Sequence, residues 1–150
     1  MIEEISNNKK ALFDYTVLEK FEAGIELLGS EVKSIKFGRV NLKGSFVVIK
    51  DSEAFILNLG IPLYQKNNLK KDLKEDRTRR LLLTKKEINY LYGQSQAGLT
   101  IIPISVIIKD GWVKLIIALA KGKQLFDKRE TIKKREWTRL RRTIEAKSSK

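Results

Sequence analysis

The sequence predicts a mainly β domain with a few helices, closed into a small antiparallel barrel or curled sheet and followed by a basic C-terminal tail. Three observations carry that expectation. Two β-branched runs, residues 99–108 and 112–120, flank Asp110-Gly111, the pair best suited to the positive φ angles of a type I′ hairpin turn. Strand-forming residues recur over residues 12–28, 45–50 and 54–59, and at least five or six such segments joined mostly by hairpins satisfy their edges by curling or closing. Residues 121–150 hold twelve of the 31 Lys and Arg residues against four carboxylates, and so carry +8 of the net charge of +13. The division that follows is a body over residues 1–120 and a tail over 121–150.

Taken in order, residues 12–28 alternate Phe13, Tyr15 and Val17 and then Phe21, Ile25 and Leu27, which reads as one long bent strand or two short ones. Gly24 would ease a bulge between the halves. Residues 30–37, with Val32 and Ile35 at helical spacing between Gly29 and Gly38, predict a short helix. Strands 45–50 and 54–59 form a hairpin across Asp51, Ser52 and Glu53. Residues 65–80 contain seven Lys or Arg and only Leu69 and Leu73 as large apolar side chains, the pattern of a basic loop. Thr84 and Glu87 have capping-box spacing, and Ile88, Leu91 and Tyr92 give the helix that follows an apolar face, ended by Gly93 or Gly98. In the tail, Trp137, Leu140 and Ile144 share one helical face. So few apolar residues hold an isolated helix only weakly, and the tail is expected to be disordered when free and helical when bound.

Composition narrows the chemistry. The chain has no cysteine and no histidine, which removes thiolate zinc sites, disulfides and every nucleophile system that relies on imidazole as the base. No metal and no cofactor is expected. The carboxylates Asp72, Glu75 and Asp76 could hold magnesium for RNA hydrolysis, but in a loop among lysines plain solvation accounts for them. No apolar stretch is long enough to cross a bilayer, and a cytoplasmic, monomeric protein is expected. A tail of this charge calls for a polyanion, and phosphate contacts release counterions. Nucleic acid is therefore the first partner class.

The run Phe21-Glu22-Ala23-Gly24-Ile25-Glu26-Leu27-Leu28-Gly29-Ser30-Glu31-Val32-Lys33-Ser34-Ile35 closely resembles the signature of the SsrA-binding protein family, also called small protein B. Further blocks agree in order. They are Asn8-Lys9-Lys10-Ala11, Gly38-Arg39-Val40-Asn41-Leu42, Arg77-Thr78-Arg79-Arg80-Leu81-Leu82-Leu83, Ala118-Leu119-Ala120-Lys121-Gly122-Lys123, and Asp127-Lys128-Arg129-Glu130-Thr131-Ile132-Lys133. One departure is local: Lys74-Glu75-Asp76 stands where the family usually has a proline before the first arginine of Arg77-Thr78-Arg79.

The resemblance implies a non-enzymatic protein. Its barrel, similar to an oligonucleotide-binding fold, would hold the tRNA-like domain of transfer-messenger RNA, and its tail would enter the empty messenger channel and decoding centre of a stalled ribosome. Elongation factor Tu is implied as an indirect partner. The candidate RNA-binding residues of the body are Asn8, Lys9, Lys10, Glu22, Arg39, Asn41, Arg77, Arg79, Arg80, Leu82 and Lys114. Those of the tail for the ribosome are Lys121, Lys123, Phe126, Asp127, Lys128, Arg129, Lys133, Lys134 and Trp137.

Chemistry gives each a reading. Lys114 and the three arginines suit charge-assisted bonds to phosphate, and arginine adds a planar fork. Glu22 can accept from base amino groups or a ribose hydroxyl, orient a neighbouring lysine, or cap the helix that follows. Leu82 reads first as a core residue. Phe126 can stack on a base, an interaction worth about 1–3 kcal/mol, or make a last core contact. Without the resemblance, the same surfaces suit a ribosomal or ribosome-assembly protein bound to ribosomal RNA.

Overall fold

The architecture grows from the Asp110-Gly111 turn. Both residues have positive φ, 50° and 84°, as a type I′ turn requires, and the strands they join are in register with Lys109 opposite Trp112. The computed structural model describes residues 2–62 and 74–123. In chain order they form β1 (Ile2–Asn7), α1 (Lys9–Asp14), β2 (Tyr15–Ile25), α2 (Gly29–Lys36), β3 (Phe46–Lys50), β4 (Glu53–Leu57), β5 (Arg79–Leu82), α3 (Lys85–Gln96), β6 (Thr100–Lys109) and β7 (Trp112–Gly122).

The strands pair antiparallel in the order β1-β6-β3-β4-β5-β2-β7, and β7 returns to β6. Six strands thus make a closed ring, with β1 added along Ser105–Lys109 of β6. The ring is irregular. β3 meets β6 through the single pair Val47 and Ile101, and β2 meets β5 through Gly24 with Leu82 and Ile25 with Leu81. By contrast β7 is paired along both edges, to β2 and β6.

Inside the ring lie Ala23, Val47, Ile56, Leu81, Ile101, Val106, Leu115, Ile117 and Leu119, and Ile35 of α2 and Leu91 of α3 pack against them. Each of the larger of these side chains stabilises the fold by roughly 1.5–3 kcal/mol relative to exposure. A second cluster lies on the outer side of the same strands, where Ala11 of α1 covers Ile102, Ile104, Ala118 and Ala120. β6 is therefore buried on both faces, which is why residues 101–107 read as nearly continuous apolar sequence, broken only by the buried Ser105, rather than as an alternation.

The predicted capping box is present: the Thr84 hydroxyl accepts from the Glu87 N–H at 3.2 Å, and the Glu87 carboxylate accepts from the Thr84 N–H at 3.0 Å. Of the two glycines proposed to end that helix, Gly98 does so with φ 99°, whereas Gly93 lies inside α3. The hairpin between β3 and β4 turns on Asp51 and Ser52, both at positive φ.

Three expectations need correction. Residues 9–14 are helical, because Asn8 caps them with its Oδ1 on the Ala11 N–H at 3.3 Å and the fold buries Ala11. The strand bends between Val17 and Glu19, not at Gly24. Gly24 is instead a point of close approach, where an added Cβ would stand 3.1 Å from Leu82 Cβ. The loop expected to run to residue 80 gives way to β5 at Arg79.

Candidate nucleic-acid interface

Alternation along paired strands assembles one outer face. In β5 the side chains of Arg79 and Leu81 turn inward and those of Arg80 and Leu82 outward. Gly24 is the cross-strand neighbour of both Leu82 and Lys114, and Glu22 lies two residues away on the same face. Three of the residues singled out from the sequence, Glu22, Leu82 and Lys114, therefore converge around one glycine. Leu82 is 49% exposed, so its expected place in the core is wrong: outward alternation beside Gly24 makes it an apolar surface residue.

The same face extends to Lys109 and Trp112, paired opposite each other at the hairpin end. Trp112 is 73% exposed, and as the neighbour of Lys114 at i−2 it adds a stacking surface beside a cation. Glu22 receives Lys109 Nζ at 3.2 Å, which matches the reading in which it orients a lysine. Arg80 lies between Glu26 at 3.3 Å and Glu53 at 3.7 Å. Lys114 makes no ion pair among the described residues.

Beside this face, α2 is tied to the start of β5 by one buried carboxylate. Glu31 Oε1 accepts from the Leu28 N–H at 2.8 Å and from Arg77 Nη2 at 2.5 Å, and Oε2 accepts from Arg77 Nε at 3.1 Å and Arg79 Nε at 2.8 Å. Burial pushes the Glu31 carboxyl up, but the hydrogen bonds from Arg77, from the Leu28 N–H and from Arg79 outweigh it and hold the group below its ordinary value. Burial pulls the Arg79 guanidinium down, and its bond to Glu31 opposes that.

Arg79 is 1% exposed and cannot serve as the phosphate ligand that the sequence suggested. Its Nη1 donates to the Leu59 carbonyl at 2.6 Å and the Arg77 carbonyl at 3.1 Å, and its Nη2 donates to the Glu75 carbonyl at 2.8 Å and pairs with Glu31 at 2.5 Å. Every N–H of the guanidinium is therefore engaged inside the protein.

Asn8 is likewise buried. Besides capping α1 it donates to the carbonyls of Pro103 at 3.0 Å and Leu42 at 3.3 Å, so it pins the first helix to β6 rather than facing a ligand. Lys9 and Lys10 next to it are exposed, and Lys10 reaches Asp14 at 3.7 Å. Arg39 is exposed after the positive-φ Gly38. Asn41 shapes the following turn, its Oδ1 accepting from the Lys43 N–H at 3.0 Å. Glu31, Lys109 and Trp112 were not singled out from the sequence. Trp112 could have been found from the i, i+2 spacing to Lys114, whereas Glu31 depends on a partner 46 residues away.

Lys121 lies in β7, which continues to Gly122, and the Lys123 N–H donates to the Asp14 carbonyl at 3.0 Å. The chain thus leaves the ring beside α1. Gly122 is eight residues from Lys114, a span of about 27 Å at the rise of a strand. Phe126, Asp127, Lys128, Arg129, Lys133, Lys134 and Trp137 lie outside the described residues, as does Asp72. Among the described residues no group of acidic side chains could hold a metal ion, and no helix is long and apolar enough to cross a membrane.

A closed antiparallel ring whose outer face carries arginine, lysine and an exposed tryptophan has the make-up of a nucleic-acid-binding surface. The chain belongs to the SmpB protein family, whose model matches residues 5–147. It is similar to proteins named SsrA-binding protein. That of Gloeothece citriformis is 50% identical over 133 residues, covering 88% of this chain and 86% of the relative. That of Wolbachia pipientis wMel is 51% identical over 140 residues, 92% and 93% of the two chains. That of Streptococcus suis is 47% identical over 148 residues, 97% and 95%. Among solved structures, a chain from "tmRNA-SmpB: a journey to the center of the bacterial ribosome" superposes with a TM-score of 0.66 at 39% identity, over 80% of this chain and 85% of that one.

Proposed function

We propose that this chain binds the tRNA-like domain of transfer-messenger RNA and delivers it to stalled ribosomes for trans-translation. The reading is carried by the family match over nearly the whole chain, tail included. The ring supplies a surface for a structured RNA: Lys114 and Arg77 for phosphates, Glu22 with Lys109 for a ribose or base edge, Leu82 and Trp112 for apolar and stacking contact. The tail supplies the ribosomal half of the activity. With the surplus charge of residues 121–150 it tracks ribosomal RNA along the empty messenger channel, and phosphate contacts offset the entropy of ordering it. Elongation factor Tu takes part indirectly, through the RNA, and the protein acts as a monomer in the cytoplasm.

The test is competition between transfer-messenger RNA and a structured control RNA of equal length, at two salt concentrations. Basic proteins bind any RNA at low salt, so the reading expects a preference that survives at high salt. Equal binding that collapses together for both RNAs would favour a general ribosomal-RNA binder.

A further inference from the structure

The Glu31 cluster does not close its charge account. One carboxylate, 3% exposed, sits between two guanidinium groups, and the surplus positive charge resides on the one that reaches the surface. Arg79 has spent every donor internally. Arg77, 30% exposed, has spent only one edge: its Nε and Nη2 lie on the Glu31 carboxylate, while its Nη1 makes no hydrogen bond among the described residues. Arg77 lines an open groove with Leu28, Phe55, Thr78, Glu26 and Arg80. Arg80 in the same groove is already shared between Glu26 and Glu53. Arg77 is the guanidinium there that a buried carboxylate holds along one edge.

We infer that Glu31 is a positioning residue that clamps Arg77 through one guanidinium edge and so presents the other edge, preset, to a backbone phosphate of the bound RNA. The inference rests on the RNA-binding reading above and adds to it a division of labour within Arg77-Thr78-Arg79: the first arginine contacts the ligand and the second holds the fold. The physical advantage is preorganisation. A guanidinium fixed by a bidentate carboxylate loses little freedom when phosphate arrives, and Arg79 behind it holds the carboxylate in place. Lysine would fill both roles less well, because its three rotatable donors form no planar fork to fix it on the carboxylate.

The experiment measures transfer-messenger RNA affinity of the full chain as a function of salt for Arg77→Ala, Arg77→Lys, Glu31→Gln and the double variant Glu31→Gln/Arg77→Ala, with circular dichroism reporting the folded fraction. Arg77→Ala is expected to weaken binding roughly tenfold and to lower the slope of log affinity against log salt by about 0.7–0.9, the loss of one phosphate. Arg77→Lys should lose nearly as much despite keeping its charge. Folded Glu31→Gln should match Arg77→Ala, and the double variant should be no weaker than Arg77→Ala alone. Wild-type affinity and slope in Arg77→Ala would overturn the inference, as would full affinity in folded Glu31→Gln when Arg77→Ala has lost it. Should Glu31→Gln not fold, Arg77→Lys decides: binding equal to wild type shows that charge alone suffices and no preset edge is used. A wild-type chain with no preference over control RNA would instead overturn the functional reading itself, and the inference with it.

Discussion

Replacing Arg79 by methionine keeps most of the side-chain volume and removes every donor. In the native protein this guanidinium satisfies the carbonyls of Leu59, Arg77 and Glu75 and half of the Glu31 carboxylate. Breaking a buried ion pair by removing one partner costs about 3–5 kcal/mol. Glu31 retains Arg77 and the Leu28 N–H, which places the expected loss near the lower end, about 3 kcal/mol. Against a domain stability of about 5–15 kcal/mol that is a large fraction, equivalent to a fall in Tm of roughly 10–20 °C. Urea unfolding followed by far-ultraviolet circular dichroism measures it directly. Arg79→Lys, which keeps the charge but fewer donors, should fall between the two. RNA affinity per folded molecule should fall less in Arg79→Met than in Arg77→Ala, because Arg77 and the Leu28 N–H still hold Glu31. A variant within about 0.5 kcal/mol of wild type, the range of an ordinary surface change, would refute the assignment of Arg79 as an internal strut.

Three other perturbations have defined outcomes. The Glu31 carboxyl titrates below its ordinary value in the folded protein, so its stabilisation is complete above the unfolded value and is lost as pH falls through the folded one; the urea midpoint should drop on acidification below about pH 4.3, and drop less in Glu31→Gln. Gly24→Val forces a branched side chain toward Leu82 Cβ, where even a single Cβ would stand at 3.1 Å; the expected cost is about 1–3 kcal/mol by urea unfolding, with weakened RNA binding because Leu82 and Lys114 both flank that position. Trp112→Ala removes an exposed ring, so stability should change by less than about 0.5 kcal/mol, while RNA affinity measured by filter binding falls by about 1–3 kcal/mol.

Local chemistry was legible where it was self-sufficient. Asp110-Gly111 dictates its own turn, and Thr84 with Glu87 dictates a helix start, because each device is complete within a few residues. The short helix α1 was not legible, since its six residues are held by Asn8 reaching Pro103 and Leu42 and by Ala11 packing under β6 and β7. β1 was missed for the same reason: Ile2–Asn7 is a strand only because the second edge of β6 is there to pair with it. At the interface, residue type identified the cations but not their surroundings. Arg77, Arg79 and Arg80 look alike in sequence, yet strand alternation sends Arg79 to Glu31 and the interior and leaves Arg80 on the surface. Leu82 shows the converse, an apolar residue that alternation turns outward.

We propose that the ring holds RNA and that the tail, which leaves it at the end of β7 remote from Lys114, acts on the ribosome. A chain ending at Lys123 tests it most directly when both activities are measured side by side: affinity for transfer-messenger RNA at high salt, and peptide tagging on stalled ribosomes in a reconstituted translation system. RNA affinity close to that of the full chain, with no tagging, is expected. Tagging at the full-length rate, or loss of RNA binding and tagging together from a folded truncated ring, would contradict it.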